Sequence, residues 1–271
     1  MTVARAARSW LDLREPADAR SRSTELLDHL RALLPDDGLL EVHDLGCGTG
    51  SMRRWLGPQL SGPQRWIEYD RDAELLDRHA TDSTTSLDGI ELSVQTRSFD
   101  LTELVEADLT GAALITASAL LDMLAADELE HLVSTCASAG CPCLITLSVV
   151  GHVEFFPPDP LDVAFEKAFN HHQRRMMPHG RLLGPDAATA AADLLERAGM
   201  TVVTRPSPWR LGPADGPMLA EWFEGWLEAA CEQDLTLRDA AGPYALKRHA
   251  QLDDGLLRAT IHHHDLLAWH P

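Results

Sequence analysis

Val42-His43-Asp44-Leu45-Gly46-Cys47-Gly48-Thr49-Gly50 follows directly on an apolar run beginning at Leu39 and opens into a helical stretch, Ser51 to about Leu56. A glycine-rich turn in this strand-to-helix context reads as a ligand loop, because side-chain-free positions take a sharp turn and let backbone amides approach a bound molecule. The spacing bears on which ligand. A dinucleotide fingerprint counted from Gly46 requires glycine or alanine at position 51, where Ser51 stands; the third glycine comes one residue early. A dehydrogenase is therefore the weakest enzymatic reading. Asp44, just before the turn, would repel a pyrophosphate and suits a ligand carrying an ammonium group, which points to an amino-acid moiety.

Outward from the loop the chain alternates. Strands are expected at Gln64–Tyr69, Ile90–Thr96, Ala112–Ala117, Cys143–Val150 and Thr201–Thr204, with a last one within Leu257–Trp269. Helices are expected at Asp72–Ala80, Asp127–Ala139, Val163–Arg175, Ala187–Ala198, Met218–Cys231 and Tyr244–Leu252. Two helical segments precede the loop, and the second places Leu26, Leu27, Leu30, Leu33 and Leu34 on one face before Pro35-Asp36-Asp37-Gly38 ends it. Strands alternating with helices indicate a doubly wound α/β fold with a mostly parallel sheet and right-handed crossovers. The near-continuous apolar run Cys143–Val150 is the kind buried on both faces of such a sheet.

Composition narrows the function classes. A chain of 271 residues that is 45% hydrophobic and 24% charged has ordinary globular character. The formal net charge of −19 repels phosphate backbones, so no nucleic-acid partner is expected, and acidity of this kind serves solubility. No apolar run spans a bilayer, and no membrane partner is expected. Arg5, Arg8 and Arg14 interrupt any secretory core, so a cytoplasmic location is expected, with five reduced cysteines. Cys141-Pro142-Cys143 lacks zinc-ligand spacing, and no metal is expected.

Val42 to Gly50 resembles motif I of the class I S-adenosylmethionine-dependent methyltransferases. The resemblance covers residues 39–150 by motif and the remainder by architecture. It implies a Rossmann-like methyltransferase fold of seven strands, with Thr201–Thr204 as the sixth and the antiparallel seventh within Arg258–Trp269. It further implies that Asp44, Gly46, Cys47, Gly48 and Gly50 surround the methionine part of S-adenosyl-L-methionine. Asp70, followed by Arg71, matches the acid that binds both ribose hydroxyls, for which a carboxylate is suited because it accepts two hydrogen bonds. Asp100 resembles the acceptor for the adenine amino group, with the Leu101 amide facing the ring. Thr116 and Ser118, at the end of the fourth strand, correspond to positions near the methionine and the methyl. The product would be S-adenosyl-L-homocysteine. One domain over residues 1–271 is expected, with helical cap or lid elements around 1–35, 151–184 and 213–255.

Methyl transfer from a sulfonium is an in-line displacement in which the protein aligns the partners and excludes water. For a poor nucleophile a base is needed within hydrogen-bond reach. Asp122, His152 and His172 are the candidates, with His171 and Arg181 as further donors. Arg14, on the helices that lead into the domain, would meet the methionine carboxylate or else pair with Asp18. Trp209, Trp222 and Trp226 would wall an aromatic pocket or form core. Consecutive strand residues face opposite ways, so His262-His263-His264 is read as structural. The leading function is methylation of a small-molecule acceptor by a monomer or homodimer. A protein or RNA methyltransferase, or a non-catalytic S-adenosylmethionine-binding partner or scaffold, stands as the alternative. No Asn/Asp-Pro-Pro-Tyr/Phe motif follows the fourth strand, and Phe156-Pro157-Pro158 comes after the fifth.

Overall fold

The computed structural model describes residues 7–77 and 83–271. Helices α1 (Arg8–Ser21) and α2 (Thr24–Leu33) precede β1 (Leu40–Leu45) and α3 (Ser51–Leu56). Then come β2 (Gln64–Asp70), α4 (Ala73–Leu76), β3 (Ser93–Ser98), β4 (Leu114–Ser118), α5 (Ala126–Ser138) and β5 (Cys143–Phe156). A helix α6 (Asp162–Gln173), a small hairpin of β6 (Met176–Met177) and β7 (Gly180–Arg181), and α7 (Ala187–Arg197) lead to β8 (Thr201–Pro206) and β9 (Trp209–Leu211). The chain closes through α8 (Gly216–Gln233), α9 (Arg238–Asp253) and β10 (Arg258–Trp269). The expected helix over Asp72–Ala80 is described only as far as residue 77, so its last three positions lie outside the described residues.

The main sheet runs β3-β2-β1-β4-β5-β10-β8, parallel from β3 to β5, with β10 antiparallel to both neighbours. This is the doubly wound order the alternation implies, and the short β9 adds an eighth strand on the free part of β10. Ile67, Tyr69, Ile115 and Ala117 pack on one face with residues of α5 and α7. Val42, Trp66, Leu114 and Leu144 pack on the other with α2 and α3. Helix α2 is thus a flank of the sheet and not part of a cap. Its apolar stripe Leu26, Leu27 and Leu30 is fully covered, and Ser23 caps it by accepting from the Leu26 N–H.

Strand β5 corrects the expectation that a cap begins at residue 151. It continues to Phe156 because β10 pairs with it from Ala268 back to Arg258. The alternation that marks a half-buried strand was hidden by Gly151 and by register shifts at Ile261/His263 and His264/Leu266. Beyond the sheet, this β5–β10 arm carries a third core in which Phe155, Phe165, Trp209, Phe223, Trp226 and Tyr244 join α1, α6, α8 and α9. Trp226 is 1% exposed and stacks on Trp222 at 5.9 Å, so both belong to this packing, not to the wall of an open pocket.

Candidate functional site

Asp44 lies inside β1, completely buried, opposite Thr116 of β4, whose hydroxyl donates to its Oδ1 at 2.7 Å. The loop that follows turns under two apolar side chains. At Gly46 (φ +68°) a Cβ would stand 2.9 Å from Leu120, and at Gly48 (φ +56°) 3.2 Å from Leu11 of α1. Any other residue would be strained at both positions. The Cys47 N–H donates to the Tyr69 carbonyl, and the Gly48 N–H donates to Asp70 Oδ2 at 2.9 Å. Asp70 ends β2, and its Oδ1 also accepts from the Asp72 N–H. The loop and the acid at the next strand end are thereby held together. Burial, with Asp44, Glu68 and Asp70 close by, pushes the Cys47 thiol well up, so it stays protonated and inert.

Asp100 follows β3, exposed, and accepts from both the N–H and the hydroxyl of Thr102, at 3.0 and 2.8 Å. Those bonds, aided by Arg71, hold its carboxyl below the usual carboxylate range. Both bonds fall on Oδ1, leaving Oδ2 outside the cap. Leu101 packs half-buried against the sheet core behind it.

Arg22 was missed from sequence and occupies the centre. It sits at the joint between α1 and α2, 3% exposed, and turns inward over the loop. Its Nη2 donates to Ser51 Oγ (3.2 Å) and Ser118 Oγ (3.1 Å), its Nε reaches Thr146 Oγ1 (3.4 Å), and the guanidinium lies 5.2 Å over the Trp55 ring. Its Nη1 is buried with no hydrogen-bond partner among the described residues. Burial lowers its pKa, with Asp18, Asp265 and Asp44 opposing; an arginine stays charged through such a shift. Asp265 of β10 fixes the joint, accepting from the Ser23 N–H at 2.7 Å and the Leu147 N–H at 2.8 Å. The only sequence signal was the helix start at Ser23, which leaves the preceding arginine free to turn.

Arg14 does not take this place. It donates to Asp18 at 2.8 Å and lies 5.4 Å over the Trp209 ring, whose indole N–H also donates to Asp18. About two helical turns further from the joint than Arg22, it joins α1 to β9.

The acid–base candidates separate. After β4, Ala119 adopts a left-handed conformation (φ +50°), and its N–H bonds the Thr146 carbonyl, so that Leu120 folds over Gly46 and the chain makes a 3-10 turn at Leu121–Met123. Asp122 lies in that turn, and burial pushes its carboxyl up to about 6 against the opposing influence of Arg14 and Arg175. His172 faces Glu232 of α8 at 3.2 Å, with its pKa lowered by burial, and His152 lies between Glu166 and Glu154. Among the described residues neither histidine contacts Asp122, so the three do not form one acid–base group. His171 is exposed, and Arg181 donates to the Arg174 carbonyl. His263 points into the core against Trp209, its pKa pushed down to about 3, while His262 faces the other way.

No family model and no curated protein matches the chain. Solved structures do. The cyclopropane synthase MmaA2 from Mycobacterium tuberculosis superposes with a TM-score of 0.50 at 12% identity, over 97% of this chain and 94% of that one. A phosphoethanolamine N-methyltransferase 2 from Haemonchus contortus, in complex with S-adenosyl-L-methionine, gives 0.47 at 13% identity over 98% and 57%. An O-methyltransferase family protein from Burkholderia thailandensis gives 0.46 at 19% over 73% and 54%. The sheet order, with its antiparallel β10 between β5 and β8, is accordingly the Rossmann-like methyltransferase fold.

Proposed function

We propose that this chain is an S-adenosylmethionine-dependent methyltransferase acting on a small-molecule acceptor. The observation that carries the reading is Arg22: a buried cation with an unpartnered Nη1, held beside Ser51 and Ser118 at the glycine loop. A free carboxylate is the natural partner for such a group. The surrounding donor set fits the rest of the cofactor. Asp44 and Ser118 suit an ammonium, Asp70 a ribose diol, Asp100 and the Leu101 amide an adenine edge. Arg22 takes the role first given to Arg14.

When bound, the cofactor supplies an electrophilic methyl group on sulfur. The chain's own contribution is placement. Leu11 and Leu120 roof the loop and exclude water, and the turn begun at Ala119 presents Asp122 beside Leu120. With a carboxyl titrating near 6, Asp122 is ionised at neutral pH and able to receive a proton from an acceptor hydroxyl or amine. The helical cap of α6, α8 and α9 and the net charge of −19 favour a small, non-polyanionic acceptor over RNA.

Calorimetric titration with S-adenosylmethionine, S-adenosylhomocysteine and NAD tests the reading. Saturable binding of the two adenosyl ligands is expected, weakened about 10–100-fold by Arg22→Ala, the cost of one charge-assisted interaction. Asp70→Ala should weaken both ligands as well. No adenosyl binding, or preference for NAD, overturns the proposal. A binder that forms no S-adenosylhomocysteine with any acceptor would be the non-catalytic partner.

A further inference from the structure

On the β5–β10 arm, His152, Glu154 and His262 bring one ligand atom each to within 4.8 Å of the others. The fold makes this meeting through a bulge. Between the pairs Ile261–Val153 and His263–Val149, β5 has three residues, Val150, Gly151 and His152, where β10 has His262 alone. The extra length sets the His152 ring 4.8 Å from the His262 ring, and Glu154 follows His152 on the same face of β5.

We propose that these three side chains form a binding site for a divalent first-row cation of the zinc class. A tetrahedral zinc with bonds of about 2.0–2.1 Å separates its ligand atoms by about 3.3–3.4 Å. His152 Nε2 stands 3.3 Å from Glu154 Oε1, and His262 Nε2 stands 3.8 Å from the same oxygen, a gap that small side-chain rotations close. His262 Nε2 is itself buried and has no hydrogen-bond partner among the described residues, although it points at a carboxylate. The second ring nitrogen of His152 meets Glu166 Oε2 at 3.2 Å, and Glu166 is anchored by the Val153 N–H at 2.7 Å. A carboxylate on the far nitrogen of a ligating histidine fixes the ring tautomer and raises its basicity, which is how metal-bound imidazoles are ordinarily supported. Two imidazoles and one carboxylate match zinc and its neighbours and not magnesium or calcium, which take oxygen. His152 and Glu154 are exposed, so the fourth position is open to water. A cation there ties β5 to β10 at their bulge and, through Glu166, to α6. Its role is to clamp the arm that supports the cap, independently of any cofactor.

The test uses the full-length chain without an affinity tag, in a Cys231→Ser background that removes the one half-exposed thiol. Zinc chloride is titrated by competition with a chromogenic chelator, and thermal unfolding is followed with and without the metal. One equivalent is expected to bind, raising Tm by several degrees, while magnesium and calcium leave Tm unchanged. His262→Ala and Glu154→Gln should each weaken binding by more than about tenfold, and Glu166→Gln by about tenfold. His249→Ala, a surface histidine paired with Glu224, should change nothing. If His262→Ala disturbs folding by circular dichroism, the exposed Glu154→Gln carries the test. Absence of a saturable equivalent, or affinity equal in wild type, His262→Ala and Glu154→Gln, overturns the proposal; neither result bears on S-adenosylmethionine binding.

Discussion

On the proposed assignment, Asp122 is the residue at which function and stability oppose each other. Its carboxyl titrates near 6 in the folded chain because burial disfavours the charge, against about 3.9 unfolded. The sign follows from linkage: below the unfolded value both states are protonated and the residue costs nothing. The cost grows as pH rises towards 6 and is complete above it. Asp122→Asn should therefore stabilise the protein by about 1–3 kcal/mol at pH 8 and hardly at all at pH 4. A native carboxylate retained at that cost is expected to earn it in turnover, so the same variant should lose methyl transfer while keeping cofactor affinity. Urea denaturation at the two pH values checks the first half. Unchanged turnover with saturating cofactor would remove Asp122 from the acceptor side.

Elements with a strong local signal were legible from sequence, and those built by partners were not. The strand–loop–helix around Gly46 and Gly48, α7 and the antiparallel β10 all announce themselves through periodicity, glycines or order in the chain. The extension of β5 did not, because β10, more than a hundred residues away, supplies its pairing. Asp44, Asp70 and Asp100 could be placed from strand ends, while Arg22 could not, since its burial depends on Asp265 holding the α1–α2 joint. Asp265→Ala would leave the Ser23 and Leu147 N–H groups unsatisfied and remove one of the three carboxylates, with Asp18 and Asp44, that offset the burial of Arg22. With two buried N–H groups orphaned, a loss of about 2–5 kcal/mol is expected. Asp265→Asn, which keeps an acceptor oxygen, should cost less. If chemical denaturation finds Asp265→Ala within about 1 kcal/mol of wild type, the joint is not held this way.

Over the whole molecule, the sheet and the cap share their backbone: β5 and β10 leave the sheet only by continuing into the third core. That continuity predicts that the cap does not melt separately. Its own lock is Arg248 of α9, fully buried, which pairs with Asp162 of α6, donates to the Pro157 carbonyl at 2.6 Å, and lies over the rings of Phe155 (4.8 Å) and Tyr244 (5.1 Å). Tyr244 donates to the same Asp162 oxygen. Arg248→Leu removes the cation from a buried pair, and about 3–5 kcal/mol should be lost, lowering Tm by about 10 °C for a chain of this size. If the two regions are one cooperative unit, calorimetry will show a single endotherm in both proteins, displaced as a whole by the substitution. An early separate transition in Arg248→Leu, with the main one unmoved, would mean that the cap unfolds alone and that strand continuity does not couple it to the sheet.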